Sequence, residues 1–211
     1  GKFHTPLMVE YGTQVVAGCT PGKQGQKVHG IPVYDTVREA LAEHPAGASV
    51  ISVPPALVKG AAFEALDNGL ELIIIVTERV PRRDVVEILE VARQNGARVI
   101  GPNTLGLICP HEVKLGMAGG PVADVKKSYM PGSVGIASRS GGMTTEIANL
   151  LTTNGIGQST CVAIGGDPIV GANFLELTPM FDADPHTKAV VLFCEPGGVI
   201  EESLAAMVVE R

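Results

Sequence analysis

The chain has 211 residues, of which 45% are hydrophobic and 18% are charged, and its formal net charge is −6. This length and apolar content are enough to bury a sizeable core, which excludes disorder, and the longest apolar runs, 72–76 and 189–194, are far shorter than the roughly 18 residues of a membrane-spanning helix. The acidic balance and the 4% of aromatic residues disfavour a nucleic-acid-binding surface, which needs basic and stacking side chains.

Short apolar runs rich in valine and isoleucine alternate with segments of helical period along the chain. The runs lie at 14–18, 48–53, 71–77, 97–101, 133–137, 161–165 and 188–194. They are continuous rather than alternating, as expected for parallel strands that are covered on both faces. This order predicts an open, parallel α/β sheet with right-handed crossovers.

The segments between the runs carry helix-end signals. Helices are predicted over 37–43, 82–95 and 144–153. Thr36 and Glu39 have the spacing of a capping box at the start of the first helix. Gly96 follows the second helix at the position of a C-cap glycine.

The stretch 109–132 interrupts this alternation, because it is rich in proline and glycine and has no clear period. We interpret residues 116–132 as a linker between a first domain, 1–115, and a second domain, 133–211.

The cysteines and the chain ends give a second set of expectations. Cys19, Cys109, Cys161 and Cys194 are far apart and lack the spacing of a metal site, so we expect free thiols in a reducing, cytosol-like compartment and no metal. The chain opens without a signal pattern and closes inside a predicted helix, and we therefore interpret both ends as cut.

The glycines gather in loops that follow the predicted strands, where open α/β sheets bind their ligands. The loop 20–25 carries Lys23, whose ammonium suits a phosphate, and its glycines permit close approach of a ligand to the backbone. An ordinary surface turn remains the alternative. No acidic residue follows this strand to hold the ribose of a dinucleotide, which disfavours a nicotinamide cofactor.

Three further loops, 53–55, 77–81 and 101–104, follow the next predicted strands. Each one alone is typical of an ordinary connection between a strand and a helix. Four such loops along one sheet edge favour a binding site more strongly than any one of them.

The second half of the chain repeats this arrangement. Ser140 and Gly141 separate a strand from a helix, so backbone N–H groups and the positive helix end converge on a predicted anion site, which a serine cap on a tight turn would also explain. The loop 165–168 follows the next strand. Glu195 ends an apolar strand and can orient a histidine or hold a proton, unless it is a solvated loop residue.

These motifs occur in a characteristic order. They are Thr20-Pro21-Gly22-Lys23, Val53-Pro54-Pro55, Thr77-Glu78, Gly101-Pro102-Asn103, Ser138-Arg139-Ser140-Gly141, Gly165-Gly166-Asp167-Pro168 and Glu195-Pro196-Gly197-Gly198. Over essentially the whole chain they resemble the α subunit of succinyl-CoA synthetase and the related nucleotide-forming acyl-CoA ligases, including ATP-citrate lyase. The resemblance implies a Rossmann-like CoA-binding domain without its first strand, followed by a flavodoxin-like parallel α/β domain that is incomplete at its C-terminus.

The resemblance also implies roles for particular residues. Contacts with CoA are implied for Lys23, Val53, Pro54, Pro55, Val76, Thr77, Glu78 and Asn103. Ser140 and Gly141 would cradle a phosphoryl group, and Glu195 would support a phosphorylated histidine. In the family that histidine lies downstream of Arg211, so none of His4, His29, His44, His111 and His186 is expected to take its role, and this chain alone is not expected to turn over.

The implied reaction needs a partner. An ATP-grasp β subunit, in a heterodimer or heterotetramer, would hold ATP or GTP with Mg and phosphorylate the histidine. The phosphoryl group would pass to a small carboxylic acid such as succinate, and CoA would capture the acyl group, as in the tricarboxylic acid cycle of a cytoplasm or mitochondrial matrix.

The acid itself stays open at this point. Thr145 stands where succinate-type members have a tyrosine, and the insert 119–129 with residues 140–143 is closer to the citrate branch. A citrate-type subunit and a CoA-binding or regulatory module without catalysis are therefore kept as alternatives, and a dehydrogenase is disfavoured.

Overall fold

The computed structural model describes residues 2–195 and 200–209, and the strands of these residues form three sheets. Sheet I has the order β1-β3-β2, with β1 (Gly18–Cys19), β2 (Lys27–Val28) and β3 (Ile31–Tyr34). Sheet II is parallel and consists of β4 (Ala48–Ile51), β5 (Leu72–Ile75) and β6 (Arg98–Ile100). Sheet III has the order β11-β9-β10-β7-β8, with β7 (Gly106–Cys109), β8 (Val113–Gly116), β9 (Pro131–Ser138), β10 (Gln158–Ala163) and β11 (Ala189–Phe193).

Helices separate the parallel strands, as predicted. They are α1 (His4–Val9), α2 (Val37–Glu43), α3 (Val58–Asp67), α4 (Arg82–Gln94), α5 (Val122–Ser128), α6 (Gly141–Thr153), α7 (Phe174–Ala183) and α8 (Ile200–Val209). None of the helices in the described part of the chain is long and apolar enough to cross a membrane.

The predicted helix ends are confirmed at α2 and α4. The Glu39 N–H donates to Thr36 Oγ1 (3.2 Å), and the Thr36 N–H donates to the Glu39 carboxylate (3.1 Å), which completes the capping box. Gly96 follows α4 with a φ of +67°, a conformation that glycine adopts without strain. Helix α6 starts at Gly141 rather than at residue 144, because Ser140 supplies its cap.

The predicted strand 14–18 is wrong in its extent. Only Gly18–Cys19 forms a strand, and it pairs with Val33 and Tyr34 of sheet I rather than with sheet II. The preceding residues are held elsewhere, because Thr13 Oγ1 donates to the Lys114 carbonyl (2.8 Å) and accepts from the Lys114 N–H (3.0 Å). The loop 20–25 therefore does not share one sheet edge with the three loops of sheet II.

Sheet III begins upstream of residue 133, because the hairpin β7–β8 joins it. Strand β7 pairs antiparallel with β10, whereas β9, β10 and β11 are parallel to one another as predicted. Within the stretch predicted as a linker, α5 packs against α6. Gly116, at the start of this stretch, opposes Gly106 at close backbone contact in the hairpin. The division into domains at 115 and 132 stays a prediction.

Buried side chains of sheets II and III pack together in one cluster. Ile73 and Ile75 of β5 face the helices that follow in sequence, and Val85 and Ile88 of α4 pack in the same cluster. Ile74 points to the opposite side, into a cluster whose other members include Val162, Ile164 and Phe174 of the second half. The Gly101 N–H, just after β6, donates to the Ile164 carbonyl, just after β10 (3.0 Å), so the carboxyl ends of the two sheets lie side by side. Each fully buried isoleucine of this cluster adds about 1.5–3 kcal/mol of stability.

Candidate functional site

The loops at the carboxyl ends of sheets II and III are joined by hydrogen bonds. Thr77 Oγ1 donates to the Val53 carbonyl (2.7 Å), and the Asn103 N–H donates to the Thr77 carbonyl (3.0 Å). Asn103 Nδ2 then donates to Asp167 Oδ1 (3.0 Å) in the loop that follows β10. The structure thus brings the predicted loops around Val53, Thr77 and Asn103 together with the loop 165–168.

Arg139, in the loop after β9, also binds residues at these strand ends. Its Nη2 donates to the Asp167 carbonyl (2.8 Å), and its backbone N–H donates to the Phe193 carbonyl at the end of β11 (3.0 Å). Gly165 packs so closely on the first half that a Cβ there would lie 2.2 Å from the Pro102 carbonyl oxygen. The edge is therefore a tightly packed contact between strand ends of both sheets.

The start of α6 has the geometry of an anion cradle. Ser140 Oγ accepts from the Met143 N–H (3.4 Å), whereas the N–H groups of Gly141 and Gly142 have no partner among residues 2–195 and 200–209. A Cβ at Gly141 would lie 2.4 Å from Leu105 Cγ, so the helix begins in close contact with the residue that precedes β7. Two free N–H groups at a positive helix end suit an anion.

The loop 20–25 is held by a carboxylate that the sequence did not single out. Asp35 Oδ1 accepts from the backbone N–H groups of Lys23 (2.9 Å) and Gln24 (3.0 Å). The Lys23 side chain is exposed and has no ion-pair partner in the described part of the chain. The acidic neighbour of this loop thus comes from the end of β3, and two N–H groups already occupy its oxygen.

Glu195 is exposed and follows β11 by two residues. It therefore lies close in sequence to Phe193, whose carbonyl accepts the Arg139 N–H at the edge described above. The rest of its motif, residues 196–198, and the ends of the chain at residues 1, 210 and 211 lie outside the described residues.

Thr145 forms a hydrogen bond with Tyr129, the last residue of the insert 119–129. Its Oγ1 lies 2.9 Å from Oη of Tyr129, which is only 1% exposed. Burial raises the pKa of the Tyr129 hydroxyl, which keeps it protonated as a hydrogen-bond donor. A tyrosine among charged residues just before a strand would have been the only sequence indication of this pair.

The four cysteines are free thiols. Burial and the nearby carboxylates of Glu64 and Glu39 raise the pKa of Cys19 to about 11, and burial raises the pKa of Cys161. High thiol pKa values disfavour the reactive thiolate. Within the described ranges, no group of three or more histidine, cysteine, aspartate and glutamate side chains is placed to hold a metal ion.

Lys114 on β8 is a buried cation outside the site. Its side chain is 0% exposed, and its Nζ donates to the Gly120 carbonyl (2.5 Å). Burial lowers the pKa of this ammonium from 10.5 to about 8. Between about pH 8 and pH 10.5, the Lys114 amine is therefore more fully protonated in the unfolded chain than in the folded one.

The lowered pKa of Lys114 therefore predicts that the protein becomes more stable as the pH rises through the alkaline range. Because its folded-state pKa is depressed, its contribution to the free energy of unfolding should increase by about 3 kcal/mol as pH rises from below 8 towards 10.5. We expect Lys114→Met to remove this increment and the exposed-site control Lys126→Met to retain it. Urea unfolding at several pH values measures both, and parallel pH profiles for wild type and Lys114→Met would contradict the expectation.

Two family models match the chain. A CoA-binding domain model matches residues 1–79, and a CoA-ligase model matches residues 137–211. The first range contains the loops around Lys23, Val53 and Thr77, and the second contains the cradle, Asp167 and Glu195.

Curated relatives cover the chain from end to end. It is 48% identical to succinate–CoA ligase [ADP-forming] subunit alpha 2 of Archaeoglobus fulgidus, over 100% of this chain and 71% of the relative. The corresponding alpha subunit of Methanothermobacter thermautotrophicus is 47% identical over 99% of this chain and 69% of its own length. A subunit of the ADP-forming sulfoacetate-CoA ligase of Acholeplasma sp is 40% identical over 100% of this chain and 70% of its own length.

Solved structures share the fold. ATP citrate lyase from Methanothrix soehngenii, in complex with citrate and coenzyme A, superposes with a TM-score of 0.81 at 30% identity, over 85% of this chain and 30% of that chain. A dinucleotide-forming acetyl-coenzyme A synthetase from Ca. Korarchaeum cryptofilum superposes with a TM-score of 0.77 over 98% of this chain and 43% of that chain, and at 22% identity it supports the fold alone.

Proposed function

The chain belongs to the family of ADP-forming CoA-ligase α subunits, and from this premise we propose that it binds CoA and carries the phosphoryl transfer of an acid–CoA ligase. The observation that carries the proposal is the hydrogen-bonded edge on which Asn103 joins Thr77, in the CoA-binding range, to Asp167, in the ligase range. A ligase must bring an activated acid to a thiol, and this edge is where the two ranges meet.

The residues of the first half suit CoA. Lys23 offers an exposed ammonium on a loop that Asp35 holds in place, and no carboxylate of the described residues pairs with it. This fits a phosphate group of CoA. Pro54 and Pro55 are exposed in an apolar turn, and they and Val53 would pack against the uncharged parts of CoA. We assign further contacts to the residues at the adjoining strand ends, Val76, Thr77, Glu78 and Asn103. When bound, CoA supplies a thiol nucleophile.

The residues of the second half suit the phosphoryl group. The free N–H groups at the start of α6, next to Ser140 and Gly141, would hold its oxygens, and Glu195 would support the histidine that carries it. The phosphoryl group would pass from ATP to the histidine nitrogen and then to a carboxylate oxygen of the acid. Attack of sulfur on the acyl carbon would then break the carbon–oxygen bond and release inorganic phosphate, which takes up the thiol proton at neutral pH.

The nucleotide belongs to a partner. The alpha designation of the relatives implies a second subunit. We propose an ATP-grasp β subunit that holds ATP with Mg, and the ADP-forming names of the relatives support ATP over GTP.

Succinate is the acid that the identity to curated relatives supports best. Thr145, tied to Tyr129, and the likeness to ATP citrate lyase favour a citrate-type acid as the second candidate. Thioester formation by the holoenzyme with succinate, sulfoacetate and citrate decides between them. Turnover of succinate alone supports the first candidate, and turnover of citrate alone overturns it.

Lys23→Ala should weaken CoA binding about tenfold, because a charge-assisted contact with phosphate is worth about 1.4 kcal/mol. Isothermal titration of CoA into the holoenzyme measures this change. Lys27→Ala, at an exposed lysine of the neighbouring strand β2, serves as the matched control and should leave the Kd unchanged. Equal CoA affinity of Lys23→Ala and wild type would contradict the assignment of Lys23, whereas tight CoA binding without any thioester formation would favour a binding module without catalysis.

A further inference from the structure

Arg139, at the centre of the proposed site, is an arginine that has no counterion among residues 2–195 and 200–209. Its side chain is half-buried, and its Nη2 binds a backbone carbonyl, that of Asp167. No carboxylate in the described ranges forms an ion pair with it, whereas Arg83 and Arg93 on the surface of α4 pair with Glu87 and Glu90. A guanidinium held in this way keeps its full positive charge for a ligand.

Arg139 lies between the proposed phosphoryl cradle and the residues assigned to CoA. Its backbone immediately precedes Ser140, the cap of the phosphoryl cradle. Its guanidinium binds Asp167, whose carboxylate accepts from Asn103 on the CoA side. An acid that takes up a phosphoryl group from the cradle and then passes its acyl group to CoA must lie between these two places.

From this arrangement we infer that Arg139 binds the carboxylate of the acid substrate, an inference that rests on the proposed function. The contact of Nη2 with the Asp167 carbonyl leaves other N–H groups of the planar guanidinium for a carboxylate, which matches them in a two-point contact. The ligand is the carboxylate rather than the phosphoryl group, because the backbone N–H groups of Gly141 and Gly142 already serve the phosphoryl oxygens.

Asp167 acts as a positioning residue for Arg139. Its carboxylate is bound to Asn103 Nδ2, and the Gly166 N–H donates to the Asn103 carbonyl (3.3 Å), so the loop is bound to the CoA side at two points. The close contact of Gly165 with Pro102 fixes the same loop. The Asp167 carbonyl therefore holds the guanidinium at a constant distance from both halves of the site.

Steady-state kinetics of the holoenzyme test the inference by separating the KM values of its substrates. Arg139→Gln should raise the KM for the acid about tenfold or more and leave the KM for CoA and ATP within about twofold, because a charge-assisted contact with the acid alone is lost. Arg139→Lys should recover part of the loss. Arg93→Gln, at a surface arginine, should match wild type.

Phosphorylation of the enzyme by ATP in the absence of acid tests whether Arg139 binds the carboxylate of the acid or the phosphoryl group. It should be unchanged in Arg139→Gln and Arg139→Lys. Asp167→Ala should raise the KM for the acid in the same selective way, and Asp167→Asn should restore it, because its amide oxygen still accepts from Asn103.

The inference is overturned if Arg139→Lys and Arg139→Gln keep the wild-type KM for the acid, or if they impair phosphorylation or CoA binding to the same degree. Thermal unfolding of each variant identifies a loss of folding, and Arg139→Lys retains the charge and keeps the comparison available if Arg139→Gln unfolds. Failure of the wild-type holoenzyme to form any acyl-CoA would instead overturn the proposed function.

Discussion

Gly106→Ala is expected to destabilise the second half of the chain by about 4 kcal/mol or more, through backbone overlap and strain together. Gly106 has a φ of +92° and opposes Gly116 in the hairpin β7–β8. A Cβ on Gly106 would lie only 1.9 Å from the Leu115 carbonyl oxygen, and no side-chain movement relieves an overlap with backbone. Strand β7 lies between β8 and β10, so the displacement would open sheet III.

Gly120→Ala is the matched control for this prediction. Gly120 also has a positive φ, +71°, but a Cβ there would meet nothing within 4 Å. It should lose only about 1 kcal/mol, the cost of placing alanine in the left-handed region. Urea unfolding of the full chain measures both variants. A Gly106→Ala variant as stable as Gly120→Ala would show that the close approach of the two hairpin strands is not needed for the fold.

Glu195→Gln should slow phosphorylation of the enzyme by ATP about a hundredfold. A carboxylate beside an imidazole fixes its orientation and favours the protonated ring that forms during transfer, and glutamine keeps the size of the side chain but loses the charge. CoA affinity should be unchanged, because the residues that we assign to CoA lie in the other half of the chain. The rate of label transfer from ATP in a rapid-quench experiment measures the effect.

Glu202→Gln, at an exposed glutamate in the first turn of α8, controls for the general loss of a negative charge. It should phosphorylate at the wild-type rate. Equal rates for Glu195→Gln and Glu202→Gln would remove Glu195 from the phosphoryl-transfer machinery and leave it as a solvated loop residue.

The parallel strands and the helix caps were predictable because they depend on local patterns. Continuous apolar runs indicate strands that are covered on both faces, and β5 fulfils this with Ile73 and Ile74 in different buried clusters. The capping box at Thr36 needs only residues within one turn of helix. The meeting of the loops at Thr77 and Asn103 was also expected, because ligand-binding loops lie at the carboxyl ends of parallel strands. The contact of Asn103 with Asp167, which joins the two halves of the chain, was not predicted.

The departures come from contacts between residues far apart in sequence. The strand predicted over 14–18 begins only at Gly18, and Thr13, just before the predicted run, binds Lys114, one hundred and one positions away. The hairpin β7–β8 lay hidden in a segment rich in glycine, since a close approach of two backbones leaves no apolar pattern to detect. Asp35 and Tyr129 were missed because their hydrogen-bond partners belong to other secondary-structure elements.

The transfer of labelled phosphate tests the central claim most directly. A full-length subunit that carries the family's histidine downstream of Arg211, incubated with its partner subunit, γ-labelled ATP and Mg, should acquire acid-labile, base-stable phosphate on that histidine. Addition of the acid and CoA together should then release the label as inorganic phosphate, in step with thioester formation. Absence of label from this subunit, or label that persists after acid and CoA are added while thioester accumulates, would contradict the account.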